Sequence, residues 1–412
     1  MQYLINRPLY LNRLVEFKDK TVVKIITGIR RSGKSSLLEL FSKHLLDSGV
    51  AANRIIHMNL ESLKYRDLND YLSFYDYIAQ RIVAGSKCYL IFDELQVIDQ
   101  WEKAIESFRL DFDVDIYITG SNAHMLSTEF STLLSGRYVE IRVLPLSFKE
   151  FLQFYNFDIA TSVEDKFQKY LQFGGMPTLA QFELNELRSF EALEGIYNTV
   201  ILRDVMERNR VADQALLHKL SLFLCSNIGS LTSPNNIGNI LSNEGNLRAN
   251  RKQSGRAIAG KTVDKYIGML KDAFVFYSAS RYDIKGKELL KTLEKTYVID
   301  LGFRNMLLGF RDADRGHILE NIVFLELLRR DYRVYVGKFG DSEVDFIAEK
   351  PDEKLYIQVT ESMSNDIVKT RELRPLKAIG DNHEKLVLSM DRSYISSIDG
   401  IKLSNIIDFL LQ

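Results

Sequence analysis

The residues with the clearest chemistry are Gly28-Ile29-Arg30-Arg31-Ser32-Gly33-Lys34-Ser35. They spell G-x-x-x-x-G-K-[ST], the pattern of a loop that wraps phosphates. Gly28 and Gly33 let the backbone bend and bring its N–H groups onto a phosphate chain. Lys34 reaches the β- and γ-phosphates, and the Ser35 hydroxyl ligates Mg2+. Arg30, Arg31, Ser32 and Ser36 complete the candidate nucleotide-binding set. The loop follows the apolar run Val22-Val23-Lys24-Ile25-Ile26 and opens onto the helix-like Ser36-Leu37-Leu38-Glu39-Leu40-Phe41, whose N-terminus adds partial positive charge. A Gly-rich turn without function fits poorly with an intact Gly-Lys-Ser in that context. The chemistry implied is that of ATP with Mg2+.

Cys88-Tyr89-Leu90-Ile91-Phe92-Asp93-Glu94 is an apolar strand ending in two acids. Asp93 holds Mg2+ through water and Glu94 is the general base for the attacking water; buried strands also end in acids for structural reasons alone. Asp115-Ile116-Tyr117-Ile118-Thr119 runs into Gly120-Ser121-Asn122, at the end of a strand where open α/β sheets bind ligands. Ser121 and Asn122 are candidates to hydrogen-bond the attacking water or the γ-phosphate, or else form an ordinary turn and helix cap. Arg137 is a candidate transition-state arginine, neutralising charge on the transferred phosphoryl group, or an Arg paired with a carboxylate at a strand edge. Sequence does not choose between these two.

The elements that must position these residues are five β-rich segments near residues 22–27, 54–59, 88–92, 115–119 and 138–143, alternating with helical patterns. That alternation predicts an α/β core over residues 1–145, a parallel sheet with helices on both faces. One strand lies between the phosphate-loop strand and the Asp93 strand, as in additional-strand P-loop ATPases.

The detailed string resembles a family of archaeal and bacterial AAA-superfamily-like ATPases with a carboxy-terminal domain of restriction-endonuclease type. The resemblance rests on the phosphate loop, on Asp93-Glu94-Leu95-Gln96, Thr119-Gly120-Ser121, Ser135-Gly136-Arg137, Phe173-Gly174-Gly175-Met176-Pro177 and Glu343-Val344-Asp345-Phe346, and runs nearly the full length. It implies a P-loop NTPase core of AAA-like type, a helical lid at residues 146–208, a winged-helix module at 209–300 and a restriction-endonuclease-like α/β domain at 315–412.

In the lid, Ser147 after Leu144-Pro145-Leu146 predicts a helix start. Gly175-Met176-Pro177 resembles the Gly-x-Pro element of signal-transducing ATPases, where the Pro packs on adenine; a plain helix–helix turn uses the same residues. In the middle module, three helical stretches (215–227, near 233, 262–274) and two β-like ones (275–279, 296–300) predict a winged helix, with Thr262-Val263-Asp264-Lys265-Tyr266-Ile267 opening the recognition helix. The loop from Asn243 to Lys261 carries Arg248, Arg251, Lys252, Arg256 and Lys261 against Glu244, and the wing adds Arg281, Lys285 and Lys287. That patch is read either as a DNA-backbone contact or as a solvated loop on a module that packs between domains.

In the last domain, Glu320 and Asp345 stand where a nuclease of this type keeps acids, but Gln358 replaces the second acid and Thr360 the Lys. Thr cannot replace an ammonium, so cleavage chemistry is expected to be lost and the domain to serve as scaffold or binding surface.

The net charge of −1 excludes a global electrostatic footprint for nucleic acid or membrane. Two cysteines imply no disulfide framework and the six scattered histidines no zinc site. No apolar run reaches the roughly 18 residues of a membrane helix, and the first 16 residues lack a signal-peptide pattern. A cytoplasmic location is expected. The expected function is a Mg2+-dependent ATPase acting as a nucleotide-driven switch on DNA or a protein partner; an ATP-gated nuclease and a non-hydrolysing ATP-bound sensor are the alternatives.

Overall fold

Successive side chains of a strand point to opposite faces of its sheet, and the apolar segments of the core use both faces. They are β1 (Val23–Thr27), β2 (Ile55–Asn59), β3 (Cys88–Asp93), β4 (Val114–Gly120) and β5 (Tyr138–Arg142). In β3, Leu90 and Phe92 join one buried cluster with Phe74, Ile105 and Phe108, while Tyr89 and Ile91 join another with Leu37, Leu38 and Phe41. Helices Tyr71–Ala79 and Trp101–Asp111 therefore cover one face, and Pro8–Glu16 and Lys34–Asp47 the other. Burying each large side chain of these clusters contributes about 1.5–3 kcal/mol.

All pairings in this sheet are parallel and its order is β2-β3-β4-β1-β5. In space the strand between the phosphate-loop strand β1 and the Asp93 strand β3 is thus β4. It carries Ser121 and Asn122 beyond its carboxyl end.

The computed structural model describes residues 5–123, 134, 136–211, 213–248, 258–310, 315–392 and 395–412, without the side chains of 244–248 and 291–292. Ser135, Arg251, Lys252 and Arg256, and the side chains of Glu244 and Arg248, lie outside the described residues. The chain divides into two compact units, Met1–Pro145 with Asp272–Phe274, and Leu146–Lys271 with Val275–Gln412.

In the second unit, Ser147 caps helix Phe148–Phe154 in a complete capping box with Glu150, satisfying two N-terminal donors at once. Helices Val163–Phe173 and Glu186–Thr199 and a π-helical stretch, Val200–Glu207, follow. Then come helix Gln214–Ser226, the short β6 (Leu231–Thr232), helices Pro234–Arg248 and Gly260–Asp272, and a hairpin of β7 (Phe276–Asp283) and β8 (Glu288–Val298). The hairpin departs from expectation. Both strands are longer than the β-like stretches that announce them. Ile299 and Asp300 leave β8 altogether, Asp300 becoming the N-cap of helix Leu301–Leu308.

The hairpin also continues into the carboxy-terminal strands. A nine-stranded sheet has the order β13-β14-β12-β11-β10-β9-β7-β8-β6, where β9 is Arg333–Phe339, β10 Ser342–Lys350, β11 Glu353–Val359, β12 Glu384–Ser389, β13 Ser397–Ile398 and β14 Ile401–Asn405. β7 and β9 pair in parallel across Arg281–Val336, Tyr282–Gly337 and Asp283–Lys338. Helix Asp366–Ala378 covers one face through Leu373 and Leu376, packed with Val344, Ile347 and Tyr356.

The diglycine at 174–175 has a steric origin within this unit. Gly174 sits at φ +74°, and a Cβ there would overlap the Asp300 carboxylate. A Cβ on Gly175 would overlap the Leu146 carbonyl oxygen, because the Leu146 N–H donates to the Gly175 carbonyl at 2.7 Å. Asp300 closes the clamp, accepting from the Gly175 N–H (2.6 Å) and the Gly302 N–H (2.8 Å).

Candidate nucleotide-binding site

The parallel register brings the sequence-selected residues of the core to one edge. Thr27 lies opposite Gly120 and Asn59 opposite Asp93, so the phosphate loop, Asp93, Glu94, Ser121 and Asn122 all follow the carboxyl ends of adjacent strands. Within the loop Gly28 has φ +142° and Gly33 φ +98°. A Cβ on Gly28 would overlap the Val143 carbonyl oxygen. Gly28 is therefore demanded by a close approach as well as by its backbone angle. Arg31 carries a left-handed φ of +68° without being glycine. It is exposed, as is Ser35, while Arg30 and Ser36 are half-buried; Arg30 pairs with Glu61 at 3.1 Å.

Lys34 is buried, and its Nζ donates to the loop's own carbonyls, Gly28 O (2.8 Å) and Ile29 O (3.0 Å). Ser32 Oγ and Ser121 Oγ are buried with no hydrogen-bond partner among the described residues. Buried hydroxyls are ordinarily satisfied, and two orphans at a phosphate loop and at the neighbouring strand end fit a polar ligand. The donor set suits Mg2+ bound with a nucleotide, which takes one carboxylate, a hydroxyl and phosphate oxygens rather than a cage of acids. Ser35 opens the first turn of helix Lys34–Asp47, and Asp93 is buried at the end of β3.

The hydroxyl of Thr119 donates to Asp93, and the Asn59 amide donates to the other carboxylate oxygen at 3.2 Å. Thr119 Oγ1 also accepts the Glu94 N–H at 2.9 Å. One side chain thus holds the Asp93 carboxylate and the Glu94 backbone. Glu94 adopts a left-handed conformation, φ +55°, which costs a non-glycine residue about 1 kcal/mol or more. Burial raises its pKa above the usual carboxylate range, opposed by the Lys34 ammonium and by the Gln96 amide.

Three residues outside the expected set support the site. Arg7 is buried and donates to Ser32 O (2.9 Å) and Leu144 O (2.9 Å), tying the phosphate loop to the end of the core. Thr119 and Asn59 fix Asp93. A β-strand ending in Thr, one sheet position from an acid, is the sequence signal for Thr119. Arg7 has no local signal, since its partners lie 25 and 137 residues away.

Arg137 requires a correction. Val23 lies opposite Tyr138 and Thr27 opposite Arg142, so Arg137 precedes β5 at the amino end of the sheet. At about 3.3 Å per residue the phosphate-loop end is roughly 16 Å away, beyond an arginine's reach within the same chain. Arg137 instead pairs with Glu106 of helix Trp101–Asp111 at 3.6 Å.

The other expected residues lie in the second unit. Pro177 is half-buried and starts the 3-10 helix Pro177–Phe182. Lys261, Thr262, Lys265, Tyr266 and Met269 of helix Gly260–Asp272 line an open cavity of about 410 Å³ with Asn209, Arg210 and Val211.

Glu320 and Asp345 meet around a residue the sequence did not single out. Lys295 of β8 lies 2.9 Å from Glu320, 2.8 Å from Glu343 and 3.5 Å from Asp345. Burial opposes its charge, but the three carboxylates outweigh that and hold it protonated. An ammonium is therefore present although Thr360 is not one. Gln358 is fully engaged, accepting the Asp345 N–H (2.7 Å) and donating to Glu372 (2.8 Å). Among the described residues no group of three or more His, Cys, Asp or Glu is disposed to hold a metal ion.

Compared with known proteins, residues 20–152 match the AAA domain family, and residues 164–314 match a domain of unknown function, DUF8612. The chain is 40% identical over 411 residues to an uncharacterized protein of Haemophilus influenzae, covering 99% of both. It is 32% identical over 390 residues to an uncharacterized protein of Methanocaldococcus jannaschii, covering 90% of this chain and 82% of that one. Among solved structures, the Aeropyrum pernix ORC1 protein in complex with DNA aligns at 14% identity and a TM-score of 0.30, over 74% of this chain and 94% of that one. A likeness of that size carries no argument.

Proposed function

Because the chain belongs to the family of its Haemophilus influenzae and Methanocaldococcus jannaschii relatives and carries an AAA domain, we propose that it is a Mg2+-dependent ATP hydrolase working as a nucleotide-driven switch. The observation that carries this reading is the convergence of Lys34, Asp93, Glu94 and the unpartnered Ser32 and Ser121 hydroxyls at the carboxyl ends of adjacent strands. When bound, Mg2+ neutralises developing phosphate charge; Ser35 and Asp93 would hold it. Lys34 exchanges its two loop carbonyls for the β- and γ-phosphate oxygens. Ser32 and Ser121 gain the acceptors they lack, and Asn122 lies beside them. Glu94 removes a proton from the water that attacks the γ-phosphate.

The partner in this reading is DNA. Helix Gly260–Asp272 presents Lys261 and Lys265 beside Arg210 at the open cavity, a local cationic patch on a chain of near-zero net charge. Such a patch binds phosphate backbone with strong salt dependence. Steady-state ATPase assays with and without duplex and single-stranded DNA test both parts. Turnover stimulated by DNA is expected, with stimulation lost in Lys261→Glu/Lys265→Glu while basal turnover is retained. Turnover indifferent to DNA would transfer the switch to a protein partner. Tight ATP binding without turnover would leave a nucleotide sensor.

Lys295 bears on the nuclease reading. It restores the ammonium whose absence argued against cleavage, but that ammonium is itself held among Glu320, Glu343 and Asp345, and Gln358 is bound to Glu372. These residues do not fit a metal centre, so we assign the domain a scaffold role. Supercoiled plasmid incubated with the protein, Mg2+ and ATP is expected to remain intact. Nicking that disappears in Asp345→Ala would overturn this assignment.

A further inference from the structure

Glu94 needs more than its place in the chain to act on a water. Its turn is fixed by backbone contacts: the Leu60 N–H donates to Asp93 O (3.0 Å), the Val97 N–H to Glu94 O (3.3 Å), and Leu95 is fully buried. None of these orients the carboxylate. The side chain that does is Gln96, whose Nε2 donates to Glu94 Oε2. Gln96 is the middle residue of one turn of 3-10 helix, Leu95–Val97, which brings a residue two positions on back over the acid. In a strand, the same spacing would place both side chains on one face but about 6–7 Å apart. The left-handed conformation of Glu94 is what closes the gap.

The other end of the amide is informative. Gln96 Oε1 is buried and has no hydrogen-bond partner among the described residues, although Gln96 as a whole is only half-buried. Hydrogen bonding to Glu94 therefore holds the amide where its own oxygen is left unsatisfied, a cost that a freely rotating side chain would avoid. Glu94 itself directly follows β3, at the sheet edge where β1 runs into the phosphate loop.

We propose that Gln96 is the positioning residue of Glu94: its amide N–H holds the carboxylate toward the phosphate loop, where the attacking water is taken up. This rests on the reading of Glu94 as general base. It deepens that reading by assigning the orientation of the base to the fourth residue of Asp93-Glu94-Leu95-Gln96, and it predicts an effect on turnover without one on nucleotide binding.

The test compares wild type, Gln96→Ala, Gln96→Glu, Glu94→Gln and the Glu94→Gln/Gln96→Ala double variant in steady-state ATPase assays, with ADP affinity measured by titration. Misplacing a reacting group by about 1 Å costs up to roughly 100-fold, so kcat is expected to fall about 10- to 100-fold in Gln96→Ala, with the KM for ATP and the affinity for ADP within about twofold. Gln96→Glu keeps the side-chain shape, removes the donor and is expected to do at least as much damage. In the Glu94→Gln background, Gln96→Ala is expected to do nothing further, because it acts only through Glu94. Unchanged kcat in both Gln96 variants, a parallel loss of ADP affinity, or an additive effect in the double variant would each overturn the proposal while Glu94→Gln still abolishes turnover. Turnover that survives Glu94→Gln would instead bring down the reading of Glu94, and this assignment with it.

Discussion

Glu94→Gln is expected to lower ATP turnover about 10²- to 10⁴-fold, the usual contribution of a general base, while nucleotide affinity is kept or increased. The substitution preserves volume and the left-handed turn, since the Glu94 N–H to Thr119 contact is a backbone one. What it removes is a carboxylate able to accept a proton. In the proposed reading, phosphate positioning belongs to Lys34 and the loop, and metal positioning to Asp93, whose partners Thr119 and Asn59 are untouched. Single-turnover hydrolysis with binding measured in parallel checks this. A loss of affinity matching the loss of rate would place Glu94 in binding rather than in chemistry.

Asp300→Ala is expected to cost about 3–5 kcal/mol of stability, from the loss of the hydrogen bonds to the buried Gly175 and Gly302 N–H groups at about 1–3 kcal/mol each and from disruption of the Gly174–Gly175 clamp. The effect carries a pH signature. Burial raises the Asp300 carboxyl from 3.8 to about 7, against the N–H groups of Gly175, Gly302 and Phe303. Between those values the folded state binds a proton that the unfolded state has released, so this group makes stability fall as pH rises from about 4 through 7. The variant lacks that slope. Its deficit relative to wild type should be larger at pH 5 than at pH 8, which urea melts at the two pH values measure. A deficit independent of pH would mean that Asp300 is charged throughout.

The core was legible because its information is local. A strand, a loop and a helix in sequence order place Gly28 to Ser35, and an apolar run ending in Asp93 places the acid; the five parallel strands follow from alternation. The sheet order was less so: only the pairing shows that β4, rather than β2, lies beside β1. The register is also what separates Arg137 from the phosphate loop. Lys295 was illegible for a different reason. Its carboxylates are 25, 48 and 50 positions away, as the pairings with Glu320, Glu343 and Asp345 record, and its own strand reads as the second arm of a hairpin with no chemistry. Arg7 escaped in the same way, an N-terminal charge whose acceptors are backbone carbonyls. The diglycine at 174–175 was visible, but its cause, the approach of Leu146 and Asp300, was not.

The continuous nine-stranded sheet has a consequence for how such a chain can descend and diversify. Where two modules meet at a linker, each can be lost, duplicated or exchanged with little harm to the other. Here the pairing of β7 with β9 and the Lys295 contacts to Glu320, Glu343 and Asp345 mean that a recombination point between residues 300 and 315 would sever a strand pairing and strand three carboxylates. A change of register in the hairpin must therefore be matched in the carboxy-terminal strands that pair with it.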